Sequence, residues 1–109
     1  MHVRLIFLDG NLKGQHFDIG GRVLVGRETS CHIVVDDPSV SATHSAIDFE
    51  EGRPFVRDLD SMNGTTVNGT TVRKALLSHG DTVRFADVPA FVQYLDGSER
   101  GVWNLEPGA

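Results

Sequence analysis

The amino-acid sequence predicts an all-β domain, folded as a sandwich or a barrel, and three observations lead to this prediction. Apolar and polar residues alternate over short runs such as Val3–Phe7, and no stretch has the period of an amphipathic helix. Clusters of glycine, proline, asparagine and aspartate separate the runs, as turns separate the strands of all-β folds. The length of 109 residues suits one domain with one hydrophobic core.

The strand-like runs follow one another along most of the chain. Val3–Phe7 and His16–Ile19 form a predicted hairpin because turn-prone residues lie between them, at Asp9-Gly10-Asn11 and Lys13-Gly14. Later runs occupy residues 22–25, 32–35, 46–49, 54–59, 82–85 and 90–95. Predicted turns separate these runs at Gly20-Gly21, Asp36-Asp37-Pro38, Glu50-Glu51-Gly52, Gly80-Asp81 and Asp87 with Pro89.

A short tandem repeat lies in the second half of the chain. Residues 63–67 and residues 68–72 both read Asn-Gly-Thr-Thr-Val, and five residues are too few for a solenoid unit. The repeat therefore predicts two tight turns around a very short strand. Asn-Gly suits both turns because these residues adopt a positive φ at little cost.

The composition changes after Leu95 to a polar, glycine-containing segment. We therefore expect the domain to comprise residues 1–96, and residues 97–109 to form a C-terminal tail or the start of a linker. Trp103 and Leu105 are apolar residues of this tail that could pack back on the domain.

Charge and cysteine content exclude several classes of function. The net charge of −5 argues against a nucleic-acid or membrane-surface partner, because such partners require basic patches. Cys31 is the single cysteine, so neither an intrachain disulfide nor a thiolate zinc site can form. Residues 1–10 lack the apolar run of a signal peptide or a membrane span. We expect a cytoplasmic domain that binds neither nucleic acid nor membrane.

Arg27 and Ser41 have the side chains that a phosphate site requires. Arginine makes charge-assisted, often bidentate bonds to phosphate, and a hydroxyl can donate to a further oxygen. Gly26 precedes Arg27 and leaves room for a close backbone approach, and His44 follows Ser41 by three residues. Taken separately, each has an ordinary structural explanation, as a solvated charge, a turn serine or a buried histidine.

The motifs together resemble the forkhead-associated (FHA) domain, a module that reads phosphothreonine. In chain order they are Gly26-Arg27, Ser41-Ala42-Thr43-His44, Asn63-Gly64-Thr65 and Asn68-Gly69. The resemblance implies an FHA/SMAD-like β-sandwich of two antiparallel sheets with ligand-binding loops at one end. It also implies a partner protein or peptide that carries phosphothreonine, is phosphorylated by a Ser/Thr kinase and is bound in signalling.

The resemblance assigns roles to individual residues. Arg27 and Ser41 would bind phosphate, and Asn63 would hold the ligand backbone, with Thr43 and Met62 as further peptide contacts. The residues that would support the site are Gly26, His44, Gly64, Thr65, Asn68 and Gly69. No cofactor or metal is implied.

Two departures from the family pattern favour an alternative binding function. Ala42 stands where the family often has arginine or asparagine, and Met62 stands where a polar residue is common. Both changes remove a possible donor to phosphate. The alternative is an interaction module with a degenerate pocket that binds its partner independently of phosphate.

Catalysis and assembly are the other functions to weigh. Ser41 and His44, with Asp58 or Asp60, supply the residue types of a hydrolase triad, but no strand-turn-helix nucleophile elbow is present. The five histidines are scattered and include no pair at a recognised metal spacing. No sustained apolar patch favours a homo-oligomer. We therefore expect a monomeric binding domain that is not an enzyme.

Overall fold

The computed structural model describes residues 1–95, which form two packed β-sheets and no helix. This confirms the predicted all-β sandwich, and the predicted tail at residues 97–109 lies outside the described residues. No helix that could span a membrane occurs in the described part of the chain. The strands of residues 1–95 are β1 Val3–Phe7, β2 His16–Ile19, β3 Val23–Gly26, β4 Ile33–Val34, β5 Ser45–Glu50, β6 Arg53–Asp58, β7 Thr65–Val67, β8 Thr70–Val72, β9 Lys74–Leu76, β10 Thr82–Phe85 and β11 Val88–Tyr94.

One sheet has six strands in the order β2-β1-β11-β10-β7-β8, and the other has five in the order β4-β3-β5-β6-β9. Neighbouring strands are antiparallel, as expected, except at one edge, where β4 runs parallel to β3. This parallel pair aligns only Val25 with Ile33 and Gly26 with Val34. Beside it, the Leu24 N–H donates to His32 Nδ1 at 2.9 Å, so a side chain supplies an acceptor at this edge.

The hydrophobic core lies between the sheets and follows the alternation seen in the sequence. Val3, Leu5 and Phe7 of β1 are buried, whereas Arg4 on the outer face pairs with Asp18 of β2. The core includes Val25, Ile33, Val35, Val40, Ile47, Val56, Leu77, Val83, Phe85, Ala90 and Val92. Burial of these apolar side chains provides most of the driving force for folding.

Two strands and one proline differ from the sequence prediction. β8 and β9 were not predicted, because each is only three residues long and follows a turn-rich segment. Pro89 was predicted in a turn but lies inside β11. The Pro89 carbonyl faces the β1 side of the strand and accepts from the Leu8 N–H at 3.0 Å. A backbone N–H at residue 89, which proline lacks, would face the same side, where β1 has already ended. The sheet therefore tolerates this proline.

The tandem repeat forms one hairpin turn and one different turn. Asn68 and Gly69 have φ values of 50° and 86° and connect β7 to β8, as predicted for an Asn-Gly hairpin turn. In the first copy Gly64 has a φ of 87°, whereas Asn63 is not in the positive-φ region. Asn63 therefore belongs to the loop of residues 59–64 and is not part of a two-residue hairpin turn.

Candidate functional site

Three loops meet at one end of the sandwich, formed by residues 27–32, 35–44 and 59–64. They enclose a cleft of about 150 Å³ lined by Arg27, Pro38, Ser39, Val40, Ser41, Met62 and Asn63. Four residues selected from the sequence, Arg27, Ser41, Met62 and Asn63, therefore surround the same cavity. Ser39, Pro38 and Val40 were not selected, although the Asp-Pro-Ser turn in the sequence marks their loop.

Arg27 is held at its base and exposed at its tip. Its backbone N–H donates to the Ser41 carbonyl at 3.0 Å, and its Nε–H donates to the Val40 carbonyl at 2.9 Å. Its two terminal nitrogens, Nη1 and Nη2, have no partner among residues 1–95. The guanidinium therefore has a fixed orientation and four free N–H donors at the cleft.

Ser41 connects two of the loops through its side chain. The Met62 N–H donates to Ser41 Oγ at 2.9 Å, so this oxygen accepts from the protein. The hydroxyl proton is not used in that bond and can be donated to an anion in the cleft.

His44 fixes the same two loops from beneath and is completely buried. The Ser41 N–H donates to its Nδ1 at 3.0 Å, so Nδ1 carries no proton. Nε2 is 2.8 Å from the Gly64 carbonyl and must be the protonated nitrogen that donates to it. The neutral ring thus uses both nitrogens on the backbone, and its role is to position the loops.

Gly26 allows β3 to approach the loop that carries Ser41. A Cβ at residue 26 would lie 2.2 Å from the Ala42 carbonyl oxygen and 2.9 Å from Cys31 Sγ. That carbonyl also accepts from the Glu28 N–H at 3.1 Å and from the Cys31 thiol at 3.3 Å. The close approach brings Arg27 beside Ser41, and only glycine fits at this position.

Asn63 lines the same cleft as Arg27. Its Nδ2 donates to the Ser39 carbonyl at 2.7 Å, while its Oδ1 accepts no hydrogen bond from residues 1–95. The Ser39 hydroxyl donates to Asp37 at 2.6 Å, which anchors this loop in turn. Asn63 is thus oriented by its amide nitrogen and presents a free carbonyl oxygen to a ligand.

A polar network below Asn63 holds the 59–64 loop and was not recognised as such in the sequence. Asp58, considered there as a possible triad member, accepts from the Ser61 N–H at 3.1 Å and from the Thr65 hydroxyl at 2.7 Å. Because Thr65 donates its proton to Asp58, Ser45 must donate to Thr65 Oγ1, at 2.8 Å. The Ser61 hydroxyl also accepts from the Gly64 N–H at 2.9 Å. The Asp-x-x-Ser spacing of Asp58 and Ser61 is the sequence feature that could have predicted this network, because aspartate side chains commonly bond nearby backbone N–H groups in turns.

The contribution of Asp58 to the stability of the folded protein depends on pH. Burial raises the pKa of Asp58, but hydrogen bonds from Ser61 and Thr65 outweigh burial and hold the pKa below its usual value. Its stabilising contribution is therefore complete above the unfolded-state pKa, about 3.9, and is lost as pH falls through the lower folded-state pKa.

Replacing the carboxylate tests this linkage. We expect Asp58→Asn to unfold more easily than the wild type at neutral pH, and the difference in unfolding free energy to narrow as the pH falls below about 4. Urea unfolding followed by circular dichroism across a pH series measures it. A difference that stays constant in acid would contradict the lowered pKa.

Of the residues selected from the sequence, Gly26, His44, Gly64 and Thr65 support the cleft without lining it, and Thr43, Asn68 and Gly69 do not line it either. Thr43 is exposed. Asn68 and Gly69 form the turn at the other end of β7, where Asn68 Nδ2 donates to Asp81 at 2.9 Å and Asn68 Oδ1 accepts from the Thr82 N–H at 2.9 Å. The described contacts of Asn68 therefore stabilise the distant end of the sandwich.

Comparison with known proteins gives a family and several relatives. The family model of the FHA domain matches residues 23–86. The chain is 41% identical over 59 residues to the glycogen accumulation regulator GarA of Mycolicibacterium smegmatis, covering 54% of this chain and 37% of GarA. It is 33% identical over 87 residues to the proliferation marker protein Ki-67 of Mus musculus, covering 78% of this chain and 3% of Ki-67. It thus spans less than half of either relative.

Solved structures show the same fold. A structure from a structural and functional analysis of phosphothreonine-dependent FHA domain interactions superposes with a TM-score of 0.80 and 29% sequence identity, covering 88% of this chain and 99% of that chain. The family match extends over more than half of the sequence and includes all three loops of the cleft. The chain therefore belongs to the FHA domain family.

Proposed function

We propose that this domain binds a protein segment carrying phosphothreonine and thereby joins two proteins when a Ser/Thr kinase has acted. One observation carries the proposal. The free guanidinium N–H groups of Arg27 and the unused hydroxyl proton of Ser41 open onto the same cleft. The bond from the Arg27 N–H to the Ser41 carbonyl, together with the bonds of His44 to Ser41 and Gly64, holds the three loops in that arrangement.

The chemistry of the cleft matches a phosphate monoester. Such a group carries a charge of about −1.5 to −2 at neutral pH and has three strong acceptor oxygens. Arg27 can donate to two oxygens at once through its free terminal nitrogens, and Ser41 can donate to the third. Because the 109-residue chain is acidic, with a net charge of −5, these short-range contacts must provide the attraction.

The ligand backbone is assigned to Asn63, whose free Oδ1 can accept a peptide N–H. Met62 lines the cleft and would contact the same peptide, whereas Thr43 would reach only a ligand that extends beyond the cleft. The choice of phosphothreonine as the ligand is supported by the similar solved structure, which comes from an analysis of phosphothreonine-dependent FHA domain interactions.

The contacts of His44 also support a binding role over hydrolysis. A triad histidine accepts the proton of the serine hydroxyl, but Nδ1 of His44 accepts from the backbone N–H of Ser41, and Nε2 donates to a carbonyl. Asp58 accepts from Ser61 and Thr65. We therefore propose that the domain is not an enzyme. We further propose a monomer in a reducing, cytoplasmic setting, to be tested by size-exclusion mass measurements and cell fractionation.

Calorimetric titration of peptide pools tests the proposed function. A degenerate phosphothreonine pool should bind, and matched unphosphorylated and phosphoserine pools should bind much more weakly or not at all. Equal heats from the phosphorylated and unphosphorylated pools would instead support the phosphate-independent alternative that Ala42 and Met62 suggested from the sequence.

Ser41→Ala isolates the contribution of the hydroxyl. We expect at least about a tenfold loss of affinity for the phosphothreonine pool, because one hydrogen bond to a charged group contributes about 1.5–3 kcal/mol. Ser78→Ala is the matched control, since Ser78 lies between β9 and β10 at the opposite end of the sandwich. Equal affinities in the two variants would rule out a phosphate contact by Ser41.

A further inference from the structure

Met62 suggests which partner segments the cleft selects, an inference that rests on the proposed function. Its side chain is 85% exposed, whereas Leu8, the other exposed large apolar residue among residues 1–95, is 46% exposed. A single apolar side chain on a surface is ordinary. Met62 differs from Leu8 because it lines the cleft that contains Arg27 and Ser41.

The backbone of Met62 is fixed on both sides. Its N–H donates to Ser41 Oγ at 2.9 Å, and the next residue, Asn63, is tied to the Ser39 carbonyl at 2.7 Å. Met62 therefore lies between the hydroxyl assigned to phosphate and the amide assigned to the ligand backbone. A ligand held at both points must pass close to the methionine side chain.

The neighbouring surface of the cleft is also apolar. Pro38, which is exposed, lines it together with Met62, whereas Val40 borders the cleft but is only 1% exposed and belongs to the core. The polar lining is formed by Arg27, Ser39, Ser41 and Asn63. One part of the cleft is thus suited to phosphate and peptide groups, and another part to hydrocarbon. A methionine side chain is unbranched and flexible, so it can adapt to apolar partners of different shape.

We propose that Met62 contacts an apolar side chain directly next to the phosphothreonine, so that the domain selects partner segments with leucine, isoleucine or methionine at a flanking position. Binding would remove apolar surface of both residues from water, which a serine or aspartate at the same position cannot match. The side chain that replaced a possible phosphate donor thereby becomes a determinant of specificity.

A set of defined peptides tests this inference. Each carries phosphothreonine in an alanine-glycine background, with the residue before or after it varied among leucine, isoleucine, methionine, serine, aspartate and lysine, and each has an unphosphorylated twin. At the flanking position that Met62 contacts, the wild type should bind the leucine or isoleucine peptide about three- to tenfold more tightly than the serine peptide.

Variants of Met62 and Leu8 distinguish a specific contact by Met62 from a general effect of exposed apolar side chains. Met62→Ser should bind the leucine and serine peptides equally while still requiring phosphate, and Met62→Leu should keep the preference. Leu8→Ser, which alters the other exposed apolar residue of the described chain, should also keep it. An undiminished preference in Met62→Ser, or phosphate-dependent binding without any apolar preference in the wild type, overturns the inference alone. Absence of phosphate-dependent binding in the wild type overturns the proposed function and this inference together.

Discussion

Arg27→Ala is expected to reduce affinity for a phosphothreonine peptide at least about a hundredfold. The variant removes the cation and its four free N–H donors from the cleft. Two charge-assisted hydrogen bonds at about 1.5–3 kcal/mol each make the loss about 3 kcal/mol or more. Calorimetry with the wild type and the variant against one phosphothreonine peptide measures the difference.

The fold should survive the Arg27→Ala substitution. The only side-chain bond that this arginine makes within residues 1–95 is to the Val40 carbonyl, at a partly exposed position, and losing it costs about 1 kcal/mol or less. Arg22→Ala is the control, because it removes the same charge at the start of β3, away from the cleft, where Arg22 pairs with Asp48. Equal loss of affinity in both variants would mean that net charge, and no specific contact, attracts the ligand.

Gly26→Ala is expected to lower the free energy of unfolding by about 3 kcal/mol, the upper part of the usual range for an overpacked site. The added methyl carbon would lie 2.2 Å from the backbone oxygen of Ala42, which cannot move without breaking its bonds to Glu28 and Cys31. Since domains have a total stability of about 5–15 kcal/mol, this loss is a large fraction of the stability of the fold. Urea unfolding monitored by circular dichroism gives the value.

Gly21→Ala is the matched control for the Gly26 substitution. A Cβ at residue 21 meets no atom within 4 Å, and this glycine is not in the left-handed region. We expect its unfolding free energy to stay within about 0.5 kcal/mol of the wild type. An equally stable Gly26→Ala protein would show that β3 and the Ser41 loop can separate, so that their close approach does not require glycine at residue 26.

Much of the fold could be predicted because strands leave a periodic pattern in the sequence. The alternation in β1 and the turn residues before β2 correctly predicted their hairpin. Three-residue strands such as β8 and β9 leave too short a pattern to detect. Pro89 was misplaced because its position in a central strand depends on where the neighbouring strand ends, which only the paired sheet reveals.

The candidate site was predictable in its residue types and less so in its geometry. Arg27, Ser41 and Asn63 came from motif order, and all three line one cleft. Ser39 was missed because it contributes a backbone carbonyl, which any residue possesses. The family resemblance assigned Asn68 to the support of the site, yet the three residues of β7 separate its turn from the loop that carries Asn63.

The sequence determined the all-β class, the family pattern and the chemical groups at the cleft, because periodicity, turn chemistry and side-chain type are local properties. The tertiary structure decided which groups are free for a ligand. Ser41 Oγ keeps its proton available because Met62, on a different loop, supplies the donor it accepts from. His44 is neutral and structural because its two nitrogens reach backbone groups of two different loops, those of Ser41 and Gly64. Such pairings join distant segments, so they exist only once the sheets have packed.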